Sequence, residues 1–175
     1  MTSGADSVVS WAPGKLYIAG EYAVVEPGHQ AVLVTIDRFI TVRVTPCSPA
    51  GGNAGTISSR RYAAGCLPWR RRPQDGMAEA VEGDDDYVVS AIRVVEALVV
   101  QGGGRLRSFD LGIVSELDEA DGRKLGLGSS AAVTVATVRA VAGLYSLSLD
   151  DLSVYKLAML ASDTVQPIGS GGDIA

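Results

Sequence analysis

The amino-acid sequence predicts an α+β fold, in which a mostly antiparallel sheet is combined with helices. Short apolar segments rich in β-branched residues fill much of the first 44 residues and are separated by turn residues, which is typical of antiparallel strands. Later segments carry the longer apolar periodicity of helices. With 175 residues, of which 47% are hydrophobic and 20% charged, the chain has the composition of a globular domain with one core.

The first predicted strand determines where Lys15 is expected. Residues 7–12 alternate in polarity and run into Pro13-Gly14, so we expect a strand that ends in a tight turn and leaves Lys15 at the corner between strand and loop. Further sheet segments are predicted at residues 16–18, 22–25, 31–36 and 39–44, with Asp37-Arg38 separating the last two.

The stretch from residue 46 to residue 83 has a different composition. It is rich in Gly, Pro, Ser and Arg, so we expect a variable hairpin or a long surface excursion with at most one strand, at residues 56–59. Its basic run, Arg70-Arg71-Arg72, has acidic neighbours in the sequence. We therefore predict a solvated hairpin there rather than a site for RNA or an acidic partner.

The second half of the chain is predicted to be mainly helical. The acidic run Asp84-Asp85-Asp86 is well placed for the amino end of a helix over residues 87–100, because carboxylates complement the positive end of the helix dipole. A strand is predicted over residues 109–117, and further helices over residues 131–144 and 149–161, the last capped by Ser148.

Charge and composition exclude several classes of protein. The formal net charge of −5 argues against a protein whose main task is to bind nucleic acid or an anionic membrane, since both require a basic surface. Residues 1–9 lack the features of a signal peptide and no apolar stretch reaches membrane-spanning length, so a cytoplasmic location is expected. Cys47 and Cys66 form no CxxC pair, which suggests neither a zinc site nor a disulfide framework.

A glycine-rich segment before the second predicted helix is the main candidate for binding phosphate. Unpaired amide groups and the positive end of the helix dipole converge at such a turn, and the serines add hydroxyl groups. Ser130 is a candidate ligand for a magnesium ion that bridges two phosphates. The alternative is an ordinary Gly-Ser helix cap, because short glycine patterns have low specificity. The segment is Gly126-Leu127-Gly128-Ser129-Ser130.

Two charged residues complete the constellation. Lys15 follows Pro13-Gly14, and a lysine held by a rigid turn can present its ammonium group to an anion. Asp173 lies among small residues that leave room for a ligand. Taken singly, the lysine is equally explained as a surface residue and the aspartate as a turn residue. Together, one cation, one phosphate loop and one carboxylate are the groups that phosphoryl transfer requires.

Three segments resemble the motifs of the GHMP kinase superfamily, which includes galactokinase, homoserine kinase, mevalonate kinase and phosphomevalonate kinase. They are APGKLYIAGEYAVVEPG at residues 12–28, GRKLGLGSSAA at residues 122–132 and GSGGDIA at residues 169–175. The three occur in the family's order across nearly the whole chain. This combination is much more specific than any one motif, and the chain is identified as similar to this superfamily.

Two departures from mevalonate kinases resemble the bacterial phosphomevalonate kinase branch. Gly20-Glu21-Tyr22 stands where mevalonate kinases usually have Gly-Glu-His, and Gly122-Arg123-Lys124 replaces a Pro-x-Gly approach to the phosphate loop. The additional Arg123 and Lys124 suit an acceptor that is itself a phosphate monoester, because it brings about two negative charges near neutral pH.

The resemblance implies a role for each candidate residue. Lys15 and Asp173 are the implied catalytic pair, with ATP on the loop and Mg²⁺ on Ser130 and an acidic residue. Relatives commonly supply a glutamate for the metal, and here Asp163 is the candidate, with a carboxylate near a helix end as the alternative. The implied nucleotide contacts are Lys124, Gly126, Leu127, Gly128, Ser129 and Ser130. The implied acceptor contacts are Tyr17, Glu21, Tyr22, Arg123 and Ser170.

The resemblance also carries expectations about architecture and function. It implies a ribosomal-protein-like α+β fold with helices on one side of the sheet, and an ATP-binding domain over residues 1–175. We expect the family's carboxy-terminal domain to lie outside this chain, and turnover by the chain alone to be weak or absent. The implied partner is 5-phosphomevalonate, without nucleic acid or membrane, and a homodimer is allowed. The alternatives are mevalonate kinase or another GHMP enzyme such as diphosphomevalonate decarboxylase, and a truncated, non-catalytic binding module.

Overall fold

Six strands and three α-helices make up the regular structure of the computed structural model, which describes residues 7–48, 51–83, 86–118, 125–167 and 171–175. The strands are β1 Val8–Ala19, β2 Val32–Pro46, β3 Gly55–Ser58, β4 Cys66–Arg71, β5 Ala78–Ala80 and β6 Phe109–Ser115. The helices are α1 Tyr87–Gln101, α2 Ser129–Leu144 and α3 Asp151–Val165, and a short 3-10 helix spans Ala23–Val25. This 3-10 turn stands where the sequence predicted a sheet segment at residues 22–25.

The strands form one sheet in the order β1-β2-β6-β3-β4-β5. Each neighbouring pair is antiparallel except β3 and β6, which run parallel. The prediction of a mostly antiparallel sheet is therefore confirmed. In the described part of the chain, no helix is long and apolar enough to cross a lipid bilayer.

β1 does not end at Pro13-Gly14, so the predicted turn before Lys15 is wrong. Pro13 pairs with Phe39 and Gly14 with Ile36, which leaves two residues of β2 without a counterpart on β1. A bulge of this kind absorbs extra residues and lets both strands continue. The proline is tolerated because β1 lies at the edge of the sheet. Because the bulge accommodates residues 37 and 38, they do not separate two strands, and β2 is continuous.

Between residues 51 and 83 the chain adds strands to the sheet, so the predicted surface excursion is wrong, whereas the hairpin alternative agrees with the antiparallel pairing of β3 and β4. This stretch contributes β3, β4 and β5. Trp69 on β4 is fully buried, its ring lies 4.8 Å from that of Phe109, and its indole N–H donates to the Phe109 carbonyl at 3.2 Å. Burial of one large aromatic side chain whose polar group is hydrogen-bonded stabilises these short strands. The polar composition of the surrounding sequence gave no sign of these strands.

The helices cover one face of the sheet. α2 packs against β1 and β2, and the three helices contact one another. The core between the layers includes Val42, Leu111 and Trp69 from the sheet and Ile92 and Val138 from the helices, each fully buried or nearly so. The expected two-layer arrangement is confirmed, and it determines that the amino end of α2 lies beside β1.

Aspartate side chains cap the two outer helices. Asp86 accepts hydrogen bonds from the amides of Val88 and Val89 at 2.9 and 3.1 Å, which agrees with the predicted role of the acidic run at α1. Asp84 and Asp85 lie outside the described residues. At α3 the cap is Asp150 and not Ser148, because Asp150 accepts from the Ser153 amide at 2.8 Å. Hydrogen bonds from Ser153 lower the pKa of Asp150.

A buried ion pair ties β4 to α1. Glu96 is fully buried, and both of its carboxylate oxygens accept from the Arg71 guanidinium group, one at 2.7 Å and the other closer. The Tyr145 hydroxyl also donates to Glu96 at 2.7 Å. Burial acts to lower the pKa of Arg71, but the bonds to Glu96 outweigh it and raise the pKa. The predicted solvated hairpin is therefore wrong for Arg71.

Replacing Arg71 tests this account of the ion pair. Arg71→Met leaves the Glu96 carboxylate buried without its cation, so we expect the free energy of unfolding to fall by about 3–5 kcal/mol. Arg70→Met is the matched control, because Arg70 pairs with Glu79 at the surface, where an ion pair contributes about 1 kcal/mol or less. Urea denaturation measures both. Equal losses in the two variants would contradict the interpretation.

Candidate active site

The glycine-rich segment has the backbone geometry of a phosphate-binding turn. Gly126 and Gly128 have φ angles of +73° and +76°, in the left-handed region that favours glycine. α2 begins at Ser129, directly after Gly128, and is 16 residues long. The first amide groups of a helix have no partner within it, and they add to the positive end of the helix dipole. The turn can therefore bind an anion through its backbone.

β1 lies directly against this turn. The Lys15 amide donates to the Leu127 carbonyl at 2.9 Å, which joins the edge strand to the loop before α2. Gly14 permits the approach, because a Cβ at this position would lie 2.9 Å from the Leu127 oxygen and 2.5 Å from a Leu117 methyl group. Glycine at residue 14 is thus required by close packing and not by an unusual φ angle.

The Lys15 side chain crosses the loop at Gly128. A Cβ on Gly128 would lie 2.8 Å from Cγ and 2.9 Å from Cε of Lys15. The lysine side chain is only 13% exposed, so its aliphatic part is packed while its ammonium group reaches the site. The sequence identified Lys15 and Gly128 separately, and the structure shows that the conformation of one depends on the other.

Lys15, Tyr17 and Asp173 form a charged cluster. The Lys15 Nζ lies 3.2 Å from Asp173 Oδ2 and 4.2 Å from the centre of the Tyr17 ring. The Tyr17 hydroxyl donates to Asp173 Oδ1 at 2.7 Å. Lys15 and Tyr17 are two residues apart on β1, and alternation along a strand places both side chains on one face.

Asp173 reaches the cluster from a turn that packs on α3. The Ile174 amide donates to the Gly171 carbonyl at 3.1 Å. Gly171 has a φ of +71°, and a Cβ there would lie 2.6 Å from the Met159 sulfur and 2.9 Å from the Tyr155 hydroxyl. The small residues expected to leave room for a ligand therefore also let the turn lie close to α3.

These groups line one cavity of about 400 Å³, a size suited to a small ligand. It brings together most of the predicted site residues: Lys15, Tyr17, Glu21, Tyr22, Gly126, Gly128, Ser129, Ser130, Asp163 and Asp173. Leu127 is not among the lining residues, because its side chain packs toward the core and its carbonyl accepts from Lys15. Arg123, Lys124 and Ser170 lie outside the described residues.

Several cavity residues were missed by the sequence analysis. Tyr87 at the start of α1 and Gln166 after α3 line the cavity, and the Tyr87 hydroxyl donates to the Gln166 side-chain carbonyl at 3.0 Å. Met159 and Ser162 of α3 line it as well. No local pattern distinguishes these residues, since they meet only when α1 and α3 pack together.

The cavity lining includes oxygen donors of the kind that Mg²⁺ binds. Mg²⁺ typically binds one or two carboxylates and keeps several waters and phosphate ligands. Asp163 and the Ser130 hydroxyl line the same cavity and supply this type of donor. Within the described residues, no group of three or more His, Cys, Asp or Glu side chains is arranged to hold a metal by itself.

A second cavity, of about 850 Å³, shares Lys15 and Asp173 with the first among its lining residues. It is lined mainly by β1, β2, α2 and α3, and includes Trp11 and Arg139. It lacks the Gly126–Gly128 turn and both serines at the start of α2. The smaller cavity is therefore the candidate active site, because it alone of the two combines the phosphate turn with the charged cluster.

Comparison with known proteins shows which family the chain resembles. The family model for the GHMP kinases N terminal domain matches residues 86–175. The chain is 44% identical to a phosphomevalonate kinase from Streptomyces sp. (strain CL190) over 183 aligned residues, which cover 100% of the chain and 48% of the relative. It is 30% identical to a mevalonate kinase from Thermococcus sibiricus, over 95% of the chain and 47% of that relative.

The fold agrees with a solved structure as well. Streptococcus pneumoniae phosphomevalonate kinase, determined in complex with phosphomevalonate and AMPPNP, superposes with a TM-score of 0.73 and 29% identity over 97% of this chain and 46% of that one. The chain thus spans about half the length of the relatives it matches. From the family match over residues 86–175 and the shared fold, the chain belongs to the GHMP kinases.

Proposed function

We propose that this chain forms the ATP-binding part of a phosphomevalonate kinase, which converts ATP and 5-phosphomevalonate into ADP and 5-diphosphomevalonate. Phosphoryl transfer is supported by one observation: Lys15, Asp173 and the turn before α2 line the same cavity. The choice of acceptor is supported by 44% identity to the Streptomyces phosphomevalonate kinase along the whole chain.

The turn before α2 and Lys15 are proposed to bind different parts of the ATP phosphate chain. We infer that backbone amides at the start of α2 bind the nucleotide phosphates, as helix amino ends bind anions. Lys15 packs across Gly128 of that turn, and among the described residues that line the cavity it is the positively charged side chain. Its ammonium group neutralises charge on the transferred phosphoryl group, and this electrostatic stabilisation is the main contribution a protein makes to such reactions.

The bond changes balance without an additional reactant. A terminal oxygen of the 5-phosphomevalonate phosphate forms a bond to the γ-phosphorus of ATP, and the bond from that phosphorus to the β,γ-bridging oxygen breaks. The electron pair remains on ADP. An acceptor phosphate, whose second pKa is about 6, is already largely ionised near neutral pH.

Asp173 is proposed to orient the reactants and not to act as a general base. One of its oxygens accepts from the Tyr17 hydroxyl and the other faces Lys15. An ionised acceptor needs no base, so we propose that Asp173 contributes to transfer by positioning Lys15 and not by removing a proton.

Mg²⁺ is proposed to bind between the nucleotide and the protein through Ser130 and Asp163, which line the same cavity. When bound, the ion supplies positive charge that offsets repulsion between the two anionic substrates. Glu21 and Tyr22 also line the cavity, and we propose them as acceptor contacts together with Arg123 and Ser170. Lys124 is proposed to contact the nucleotide phosphates.

The remaining wall of the cleft is proposed to come from a second domain. The matched relatives are about twice as long as the region they share with this chain. We infer that the part of those relatives outside the match corresponds to a domain that closes over the acceptor. Ligand cavities occur preferentially between domains, which supports this arrangement.

Mevalonate kinase is the second candidate, because the Thermococcus relative with that activity is 30% identical. The two activities differ in the charge of the acceptor, since mevalonate offers an alcohol where 5-phosphomevalonate offers a phosphate. Comparing the two acceptors therefore separates them.

The acceptor experiment uses the chain supplemented with the unmatched half of the Streptomyces enzyme, hereafter the complemented chain. With Mg²⁺-ATP, we expect ADP release with 5-phosphomevalonate to exceed that with mevalonate by at least about tenfold in kcat/KM, or about 1.4 kcal/mol. Preference for mevalonate would favour the second candidate. No turnover with either, together with no binding of AMPPNP, would indicate a non-catalytic module.

Gly128→Ala tests the packing of Lys15 on the loop. The added methyl group would displace the lysine stem, so we expect AMPPNP affinity to fall by at least about tenfold. Gly103→Ala is the control, because Gly103 shares the positive φ but has open space around the Cβ position. Both variants lose about 1–2 kcal/mol of stability from backbone strain, whereas only the first weakens binding. Isothermal titration calorimetry that finds equal affinities would refute the interpretation.

Asp163→Asn tests the metal assignment. We expect the increase in AMPPNP affinity on adding Mg²⁺ to fall by at least about threefold, while affinity without the metal stays constant or rises as a negative charge is lost. Asp151→Asn is the matched control, because it makes the same charge change on α3 outside the cavity. The assignment is wrong if the two variants respond equally to Mg²⁺.

A further inference from the structure

We propose that Tyr17 is a positioning residue that holds Lys15 and Asp173 together in the arrangement needed for transfer, rather than a residue that binds the acceptor. This inference rests on the proposed function. It differs from the expectation drawn from the first motif, which grouped Tyr17 with the acceptor contacts. Three geometric observations carry it.

The first observation is the hydrogen bond from Tyr17 to Asp173. The Tyr17 hydroxyl donates to Oδ1 at 2.7 Å, across 156 residues of sequence. A hydrogen bond to a charged acceptor is short and strong, and this one selects one orientation of a carboxylate whose side chain is 44% exposed. With Oδ1 engaged, Oδ2 is the oxygen that faces Lys15 at 3.2 Å.

The second observation is the contact of Tyr17 with the lysine. The Lys15 Nζ lies 4.2 Å from the centre of the Tyr17 ring, within the range of a cation–π interaction. The aliphatic part of Lys15 is packed against Gly128 on another side. Ring and loop together therefore restrict the position of the ammonium group.

The third observation is that one residue makes both contacts. The hydroxyl of Tyr17 engages Asp173 while its ring lies against Lys15. The strand fixes the backbones of Lys15 and Tyr17 relative to each other, whereas Asp173 belongs to a separate turn at residues 171–175. Tyr17 thus connects that turn to β1, and small displacements of reacting groups are costly in catalysis.

Two substitutions separate the two contacts. Tyr17→Phe keeps the ring and removes the hydroxyl, and in the complemented chain we expect kcat to fall by about tenfold to a hundredfold while KM for either substrate changes by about twofold or less. Tyr17→Leu also removes the ring, and we expect AMPPNP affinity to fall by about threefold or more. AMPPNP affinity in Tyr17→Phe should remain within about twofold of that of the unmodified chain.

A double-mutant cycle tests whether Tyr17 acts through Asp173. In the Asp173→Ala background, Tyr17→Phe has no carboxylate to release, so its effect on single-turnover rate should shrink to about twofold or less. Tyr62→Phe is the matched control, because Tyr62 also donates to an aspartate, Asp86 at 2.7 Å, and neither residue lines the cavity. It should lower stability and leave kcat unchanged.

A crystal structure of Tyr17→Phe provides a readout that does not depend on turnover. We expect the Asp173 carboxylate to lose its single orientation and the ion pair with Lys15 to lengthen beyond 4 Å, the limit for such a pair. If no acceptor is turned over, the proposed function fails while this measurement still decides the role of Tyr17. The inference is overturned if the ion pair is unchanged, if KM for the acceptor rises at constant kcat, or if Tyr17→Phe lowers the rate equally in both backgrounds.

Discussion

The close contact between β1 and the turn before α2 is the constraint on which the site depends. It consists of the backbone hydrogen bond from Lys15 to Leu127 and the packing of the lysine stem over Gly128. Both require glycine, at residue 14 for the approach of the strand and at residue 128 for the passage of the side chain. A cation is thereby held beside the amino end of a helix, where an anion is already favoured.

The bulge in β1 and β2 extends this constraint along the strand. By absorbing two residues of β2, it lets β1 continue past Pro13, so that Lys15 and Tyr17 project from one face. A strand that ended at Pro13 would have left Lys15 on a loop, with more freedom and without a fixed relation to Tyr17. The charged cluster of Lys15, Tyr17 and Asp173 is therefore built on a strand, to which the turn carrying Asp173 is added.

The scaffold that supports this strand is stabilised partly by buried polar groups. Arg71 and Glu96 connect β4, next to the edge strand β5, to α1, and Tyr145 adds the end of α2 to the same cluster. A buried carboxylate is costly unless it is fully paired, so the cluster favours one packing of these elements over others. Because α1, α2 and α3 contact one another, fixing α1 also limits movement of α2 and α3, which line the cavity together with the start of α1.

The sequence by itself determined the three helices, the mostly antiparallel character of the sheet and the three segments that meet at the site, because each depends on local periodicity or on a compact motif. It also singled out Lys15, Ser130 and Asp173 as chemically important. Only the tertiary structure decided that β1 runs through Pro13, since a bulge depends on the partner strand. It alone placed the Tyr17 hydroxyl on Asp173 and Arg71 on a buried Glu96, because both contacts join residues far apart in the chain, where no local pattern records which side chains will meet.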